Sequence, residues 1–392
     1  MSSTAQIEHD VIVLGAGLVG SALSLALAGE GLRTALVEPR EPEAEPHEWG
    51  SRIYAIGPGR SAFLDRWGAW SAIPRERIAA VTGMLIFTRG NEPALEFSAY
   101  RSGVRALATI VEERAMRSAL EPILRRQAHL RLFRPARATS LEWFPDRIAA
   151  RLGDGGELLA RLAVGADGVR SQARQWAGMP WHERDYDQRG VVANFACGRA
   201  HRGMARQWFR EDGVLALLPL PGRRVSMVWS ANLDQGERLM AMSSAELCAA
   251  VAEASGQVLG DMELITPAAA FPLRFCRVER LVKPRFALAG DAAHGVHPLA
   301  GQGVNLGLRD AEQLAKVLSE RGPREDIGDE GVLRRFERAR REDILGVQWA
   351  TDGLQRMFAS RQPAMALLGD CGLRVTDRLA PLKKFLARAA MA

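Results

Sequence analysis

The first forty residues constrain this chain more than any other stretch. Val11-Ile-Val-Leu is a short uncharged run that enters Gly15-Ala-Gly17-Leu-Val-Gly20, an apolar strand ending in a G-x-G-x-x-G turn. A helical pattern follows over Ser21–Ala28, then a second strand at Thr34–Val37, closed by Glu38. This order is a βαβ unit, which carries its glycines at the carboxyl end of the first strand. Gly15 makes the tight turn, Gly17 lets a pyrophosphate approach the backbone, and Gly20 lets helix and strand pack closely. Glu38 stands 18 residues beyond Gly20, where an acid takes ribose hydroxyls. A lone G-x-G-x-x-G says little; with strand, helix, strand and acid in order it predicts a dinucleotide site. Val11–Gly29 is also uncharged and of membrane-spanning length. Glycines break its first half and no basic segment leads into it, so the buried βαβ reading is preferred and no targeting segment is expected.

A second stretch, Phe286–Gly307, reads FALAGDAAHGVHPLAGQGVNLG. Its apolar strand ends in Gly290-Asp291, and a carboxylate at a strand tip can accept a sugar hydroxyl. After a loop rich in Gly, Pro and His, a helix is expected to open near Val304. Gly301 and Gly303 free the backbone N–H groups at that helix start to approach a phosphate or an anionic ring. A third stretch is Gly165-Ala-Asp167-Gly168-Val-Arg170, again at the end of an apolar run.

With these three motifs in this order, the chain resembles the FAD-dependent aromatic hydroxylases that have one FAD-binding domain and no separate NADPH domain. Within that group it is most similar to the ubiquinone-biosynthesis hydroxylases of the UbiH/UbiF type, through Arg52–Arg60, the HPLAGQGVNLG run and Asp377–Leu386. The resemblance implies that Gly15, Gly17, Gly20 and Glu38 hold the ADP half of FAD, and that Arg52 and Arg114 approach it. Asp167 is implied to lie near the pyrophosphate, in a motif associated with NAD(P)H use. Asp291, Gly301, Gln302, Gly303 and Asn305 are implied along the ribityl chain and the flavin ring. The implied reaction takes electrons from NAD(P)H and O2 through a flavin C4a-hydroperoxide to hydroxylate a polyprenylated phenol. The cofactor supplies the hard chemistry, which fits the lack of a triad, paired acids or metal cluster in the sequence. Pro298 is expected to shape the oxygen-transfer site, with His297 as an acid–base candidate. His294 is a similar candidate, although both histidines could instead brace the loop by hydrogen bonds. A hydroxylase of a soluble aromatic compound and an O2-independent reductase or dehydrogenase of an isoprenoid share the same cofactor motifs. A halogenase, which should carry a W-x-W-x-I-P run, is set aside.

The expected fold is an α/β Rossmann-like FAD-binding domain, discontinuous over 1–75, 103–180 and 281–320. An α+β, mainly antiparallel substrate domain is expected at 76–102 and 181–280, and a helical region at 321–392. The pattern predicts a hairpin across Met84–Phe97 and a helix over Thr109–Arg125. It also predicts strands at Gly190–Ala196, Arg206–Phe209, Val214–Leu218 and Arg224–Trp229, and a helix at Ser244–Ala254. The mixed charges of Arg334–Arg341 predict a solvated helix face.

Composition narrows the partners. Apolar and charged fractions of 47% and 25% are those of an ordinary globular protein. A net charge of +6 suits phosphates or an anionic membrane, and no nucleic-acid motif accompanies it. Cys197, Cys248, Cys276 and Cys371 stand far apart, which argues against a disulfide scaffold, a zinc site or a dithiol centre. Leu379, Leu382, Phe385, Leu386 and Ala389 share one helical face opposite Lys383, Lys384 and Arg388. That segment either docks on its own protein or lies at a membrane surface. The expected location is cytoplasmic, with peripheral contact at the inner face of the membrane and membership of a ubiquinone-biosynthesis complex.

Overall fold

The computed structural model describes residues 7–42, 48–88, 93–296 and 302–359, which form three sheets and the helices around them. The strand His9–Leu14 lies at the centre of the first sheet. It pairs in parallel with Thr34–Val37 on one side and with Glu157–Gly165 on the other. Leu130–Phe133 extends the sheet beyond Thr34–Val37, and Phe286–Leu288 extends it beyond Glu157–Gly165, both in parallel. Burial on both faces explains why Val11–Leu14, Ala35–Val37 and Phe286–Leu288 read as unbroken apolar runs. The helices Leu18–Gly29 and Gly303–Ser319 pack against each other in the same core.

This strand order has one consequence for function. Phe286–Leu288, Glu157–Gly165 and His9–Leu14 are neighbours, so the three motifs that follow their carboxyl ends are brought side by side. Crevices at the carboxyl ends of parallel strands are where open α/β sheets bind ligands.

The second sheet has nine strands and is mostly antiparallel. Its spine is Trp181–Cys197, flanked by Arg224–Asn232 and Ala269–Val278. The hairpin of Gly83–Phe87 and Pro93–Ser98 forms as the alternation predicts and joins this sheet through Met204–Arg210. A separate core around Phe195, Trp208, Met227 and Trp229 sits behind it. The third sheet, Ile53–Ile56, Ala108–Glu112 and Ile78–Val81, shares a small cluster with Ala205 and Leu220 of the second.

Several local expectations change. The first helix starts at Leu18 rather than Ser21, because the G-x-G-x-x-G turn feeds straight into it. Thr109–Glu112 is strand, and the helix begins only at Glu113. The β-branched run Thr-Ile-Val suits the middle of a three-stranded sheet better than a helix interior. Ala138–Trp143, Leu233–Ala241 and Ala269–Val278 are elements the pattern does not announce. In the last, Pro272 disguises a strand; it falls beside a register shift opposite Asp185 and Arg189, where a missing donor is tolerated. The long helix Glu330–Ala359 does expose Arg334, Arg335, Arg338 and Arg341, but Arg340 is buried. Among the described residues no helix is long and apolar enough to cross a membrane.

Candidate flavin site

The glycine loop is set by steric necessity. Gly15 has φ +102°, and a Cβ there would stand 2.6 Å from the Ala166 carbonyl oxygen. At Gly20 a Cβ would fall 1.9 Å from the Gly15 carbonyl oxygen. Gly17 differs: it is exposed, and a Cβ would meet nothing within 4 Å among the described residues. It caps the first helix without a side-chain hydrogen bond, so the N–H groups of the first turn are left for another acceptor. An open approach to an uncapped helix N-terminus is the geometry a pyrophosphate uses. Glu38 is buried, and its Oε2 accepts from the Ala16 N–H at 2.9 Å while Oε1 accepts from the Arg40 backbone and guanidinium. The acid therefore braces the glycine loop as well as marking the end of the second strand.

Beside it lies a basic cleft of about 200 Å³ lined by Arg40, Gly50, Ser51, Arg52, Glu113, Arg114 and Arg117. Arg52 is largely exposed and pairs with Glu113 at 3.0 Å. Arg114 is exposed in the same cleft. Behind it, the fully buried Glu112 accepts from the Gly50 N–H and from Arg77 at 3.0 Å, which fixes the loop carrying Arg52. Glu112 carries no motif of its own; a carboxylate ending a β-branched run is its cue in the sequence.

Asp167 stays exposed, and one of its oxygens accepts from the Gln172 and Ala173 N–H groups, capping the following helix. Arg174 of that helix donates to the Ala292 carbonyl at 2.8 Å and so ties the second motif to the third. Asp291 opens onto the site and remains accessible there, yet the protein mass around it pushes its carboxyl above the ordinary range. His294 and Arg52 pull in the opposite direction.

Gln302 is buried at the start of the helix Gly303–Ser319 and accepts from Arg309 at 3.2 Å. At Gly303 the nearest atom to a Cβ among the described residues would be Val296 Cγ2, at 3.8 Å. Asn305 is buried, with its Oδ1 accepting from the Gly57 N–H at 3.0 Å and its Nδ2 donating to the Ala55 carbonyl at 2.7 Å. Its amide thus stitches the Arg52–Arg60 stretch to the late helix. His294 is buried and bonds to Asp310 at 2.6 Å, a contact of the kind expected of a bracing residue. His297, Pro298 and Gly301 lie outside the described residues.

Comparison with known proteins agrees with this geometry. The family described as FAD binding domain matches residues 8–342. Ubiquinone hydroxylase UbiL of Rhodospirillum rubrum is 35% identical, over 100% of this chain and 91% of that one. The chain belongs to the ubiquinone-biosynthesis hydroxylase family of FAD-dependent monooxygenases. The 3-demethoxyubiquinol 3-hydroxylase of Escherichia coli is 31% identical over 97% of this chain and 98% of its own. In fold, p-nitrophenol 4-monooxygenase PnpA from Pseudomonas putida aligns with TM-score 0.79 at 19% identity, covering 98% of both chains. An HpxO variant from Klebsiella pneumoniae, complexed with FAD, gives TM-score 0.77 at 18% identity over 98% of this chain and 99% of that one.

The residues present fit FAD: an open glycine cradle, an uncapped helix start, an arginine-lined cleft and a carboxylate at the next strand end but one. Bound FAD supplies two-electron redox chemistry and dioxygen activation. What the chain supplies is attraction for phosphate, hydrogen bonding and a fixed frame.

Proposed function

We propose that this monooxygenase hydroxylates the aromatic ring of a polyprenylated phenol in ubiquinone biosynthesis, with NAD(P)H as electron donor and O2 as oxygen source. The observation that carries the reading is full-length similarity to ubiquinone hydroxylases, joined to a cleft in which three distant motifs meet at adjacent strand ends. Gly15, Gly17 and Gly20 take the pyrophosphate side of FAD, with Glu38, Arg52 and Arg114 beside it. Asp291, Gly303 and the start of the late helix take the ribityl and ring side, with Pro298 shaping the reaction site. Gln302 and Asn305 serve that side by holding the frame. The mainly antiparallel sheet, built from 83–98 and 181–278, supplies the substrate side.

A polyprenyl tail partitions into lipid, so the reading includes peripheral contact with the membrane through Leu379–Ala389, a segment outside the described residues. Its sequence puts Leu382, Phe385, Leu386 and Ala389 opposite Lys383, Lys384 and Arg388, the pattern of a surface-lying segment.

The test is mass spectrometry of lipids from cells with and without this protein, grown with oxygen. The expected result is a fall in ubiquinone and accumulation of a polyprenylated phenol short of one oxygen, whose structure names the ring position. Unchanged quinone pools would end the reading and turn attention to soluble aromatic compounds.

A further inference from the structure

The loop that presents Asp291 is gripped by a buried ionic network that no catalytic step of the family reading uses. Asp310, on the inner face of Gly303–Ser319, is essentially inaccessible. Its Oδ2 accepts from the Gly290 N–H at 2.9 Å and from His294 Nε2 at 2.6 Å. Its Oδ1 accepts from Arg340 Nε at 2.7 Å. Arg340 also donates to Asp343, and both Asp343 oxygens accept from Arg309 Nη1, at 2.7 and 2.9 Å. Further along the same helix, buried Gln348 donates to the Gly295 carbonyl at 3.2 Å and to the Cys276 carbonyl at 3.0 Å.

The positions are informative. Leu333, Phe336, Arg340, Ile344, Gln348 and Thr351 fall at helical spacing and are all buried, so they form the inward stripe of Glu330–Ala359. An apolar stripe would cost less, because buried charges must recover a desolvation penalty. Two of the six positions are instead polar groups that reach the loop or its anchor. Asp310 binds the loop on both sides of Asp291, at Gly290 and at His294, which removes the loop's freedom to swing.

We infer that Asp310 is a positioning residue for the flavin loop, and that Arg340 and Gln348 make the helix Glu330–Ala359 a clamp that holds Asp291 toward the cofactor. The inference rests on FAD binding in this cleft. Asp310 touches no reacting atom; its effect passes through Gly290 and His294.

The experiment measures FAD dissociation from the full chain by flavin fluorescence, together with the melting temperature of the flavin-free protein. Asp310→Asn keeps the shape and an acceptor for the Gly290 N–H but removes the charge. Asp343→Asn is the control, because it breaks the same network without touching the loop. Asp310→Asn is expected to weaken FAD by roughly tenfold, the size of one charge-assisted hydrogen bond. Asp343→Asn is expected to leave FAD affinity within about twofold even where it lowers the melting temperature comparably. If Asp310→Asn does not fold, Arg340→Lys and Gln348→Leu replace it, each expected to weaken FAD by roughly threefold. Wild-type affinity in the loop-facing variants overturns the inference, as does loss in proportion to melting temperature for all variants alike. A wild-type chain that binds no FAD would instead remove the flavin reading on which the inference stands.

Discussion

At Gly15–Gly20 steric limits on the backbone set the shape, through a left-handed turn and two places where a Cβ has no room, with Glu38 as a brace. At Gly290–Gly295, across the same cleft, side chains from three other elements do the positioning: Arg174, Asp310 and Gln348. The first arrangement is mainly steric and leaves no room for a side chain at Gly15 or Gly20. The second is assembled from residues 16 to 118 positions apart and is adjustable, since each bond can be weakened separately. A cofactor spanning both ends would therefore meet a rigid phosphate cradle and a tunable ring-side frame.

The largest effect that would break this contrast belongs to Gly20→Ala. With the Gly15 carbonyl oxygen 1.9 Å away, the added methyl should cost about 3 kcal/mol or more of stability and abolish FAD binding. Gly17→Ala meets nothing within 4 Å among the described residues, so its stability should change by less than about 1 kcal/mol while FAD affinity still falls. Urea denaturation beside FAD titration reads both, and equal destabilisation would refute the division of labour among the glycines. Arg340→Met should come next among effects on stability, at about 3 kcal/mol, because it takes the arginine partner from Oδ1 of the buried Asp310 carboxylate.

A smaller effect separates the two aspartates of the ring-side frame. Although burial opposes it, His294 and Arg340 hold the Asp310 carboxyl below its ordinary range, so its contribution is present at neutral pH and lost as pH falls through that depressed value. The protein packed around Asp291 raises its carboxyl even though the residue is accessible, which reverses the sign: the flavin-free fold loses stability as pH rises from the ordinary carboxylate value through the raised one. Asp291→Asn should therefore gain on the wild type across that rise, seen by denaturation at a series of pH values. A constant gap would mean Asp291 is not held protonated by its surroundings. The smallest effect is expected for Arg52→Ala, whose exposed pair with Glu113 is worth less than about 1 kcal/mol. A large stability loss there would show the cleft to be structural rather than open for a ligand.

The same contrast explains what was legible in the sequence. The glycine loop, Glu38 and the three strand ends are readable because each motif carries its reason within a few residues. Asp310, Arg340, Glu112 and Gln348 are not, because an acid or an arginine inside a helical or β-branched run looks like surface until a partner is known. Asp310 could have been suspected: it interrupts the apolar stripe of Leu306, Ala311 and Leu314. Arg340 was hidden by neighbouring charges that do face solvent. Ala269–Val278 was hidden by Pro272, which only the register shift beside it makes acceptable.

The most direct test of the central claim is turnover of the purified, FAD-loaded protein with NAD(P)H and a polyprenylated phenol under isotopically labelled dioxygen. The account predicts a hydroxylated ring carrying the heavy oxygen, and no product when oxygen is withheld. Product formed without oxygen, or carrying oxygen from water, would contradict it and make the protein a dehydrogenase or reductase on the same flavin scaffold.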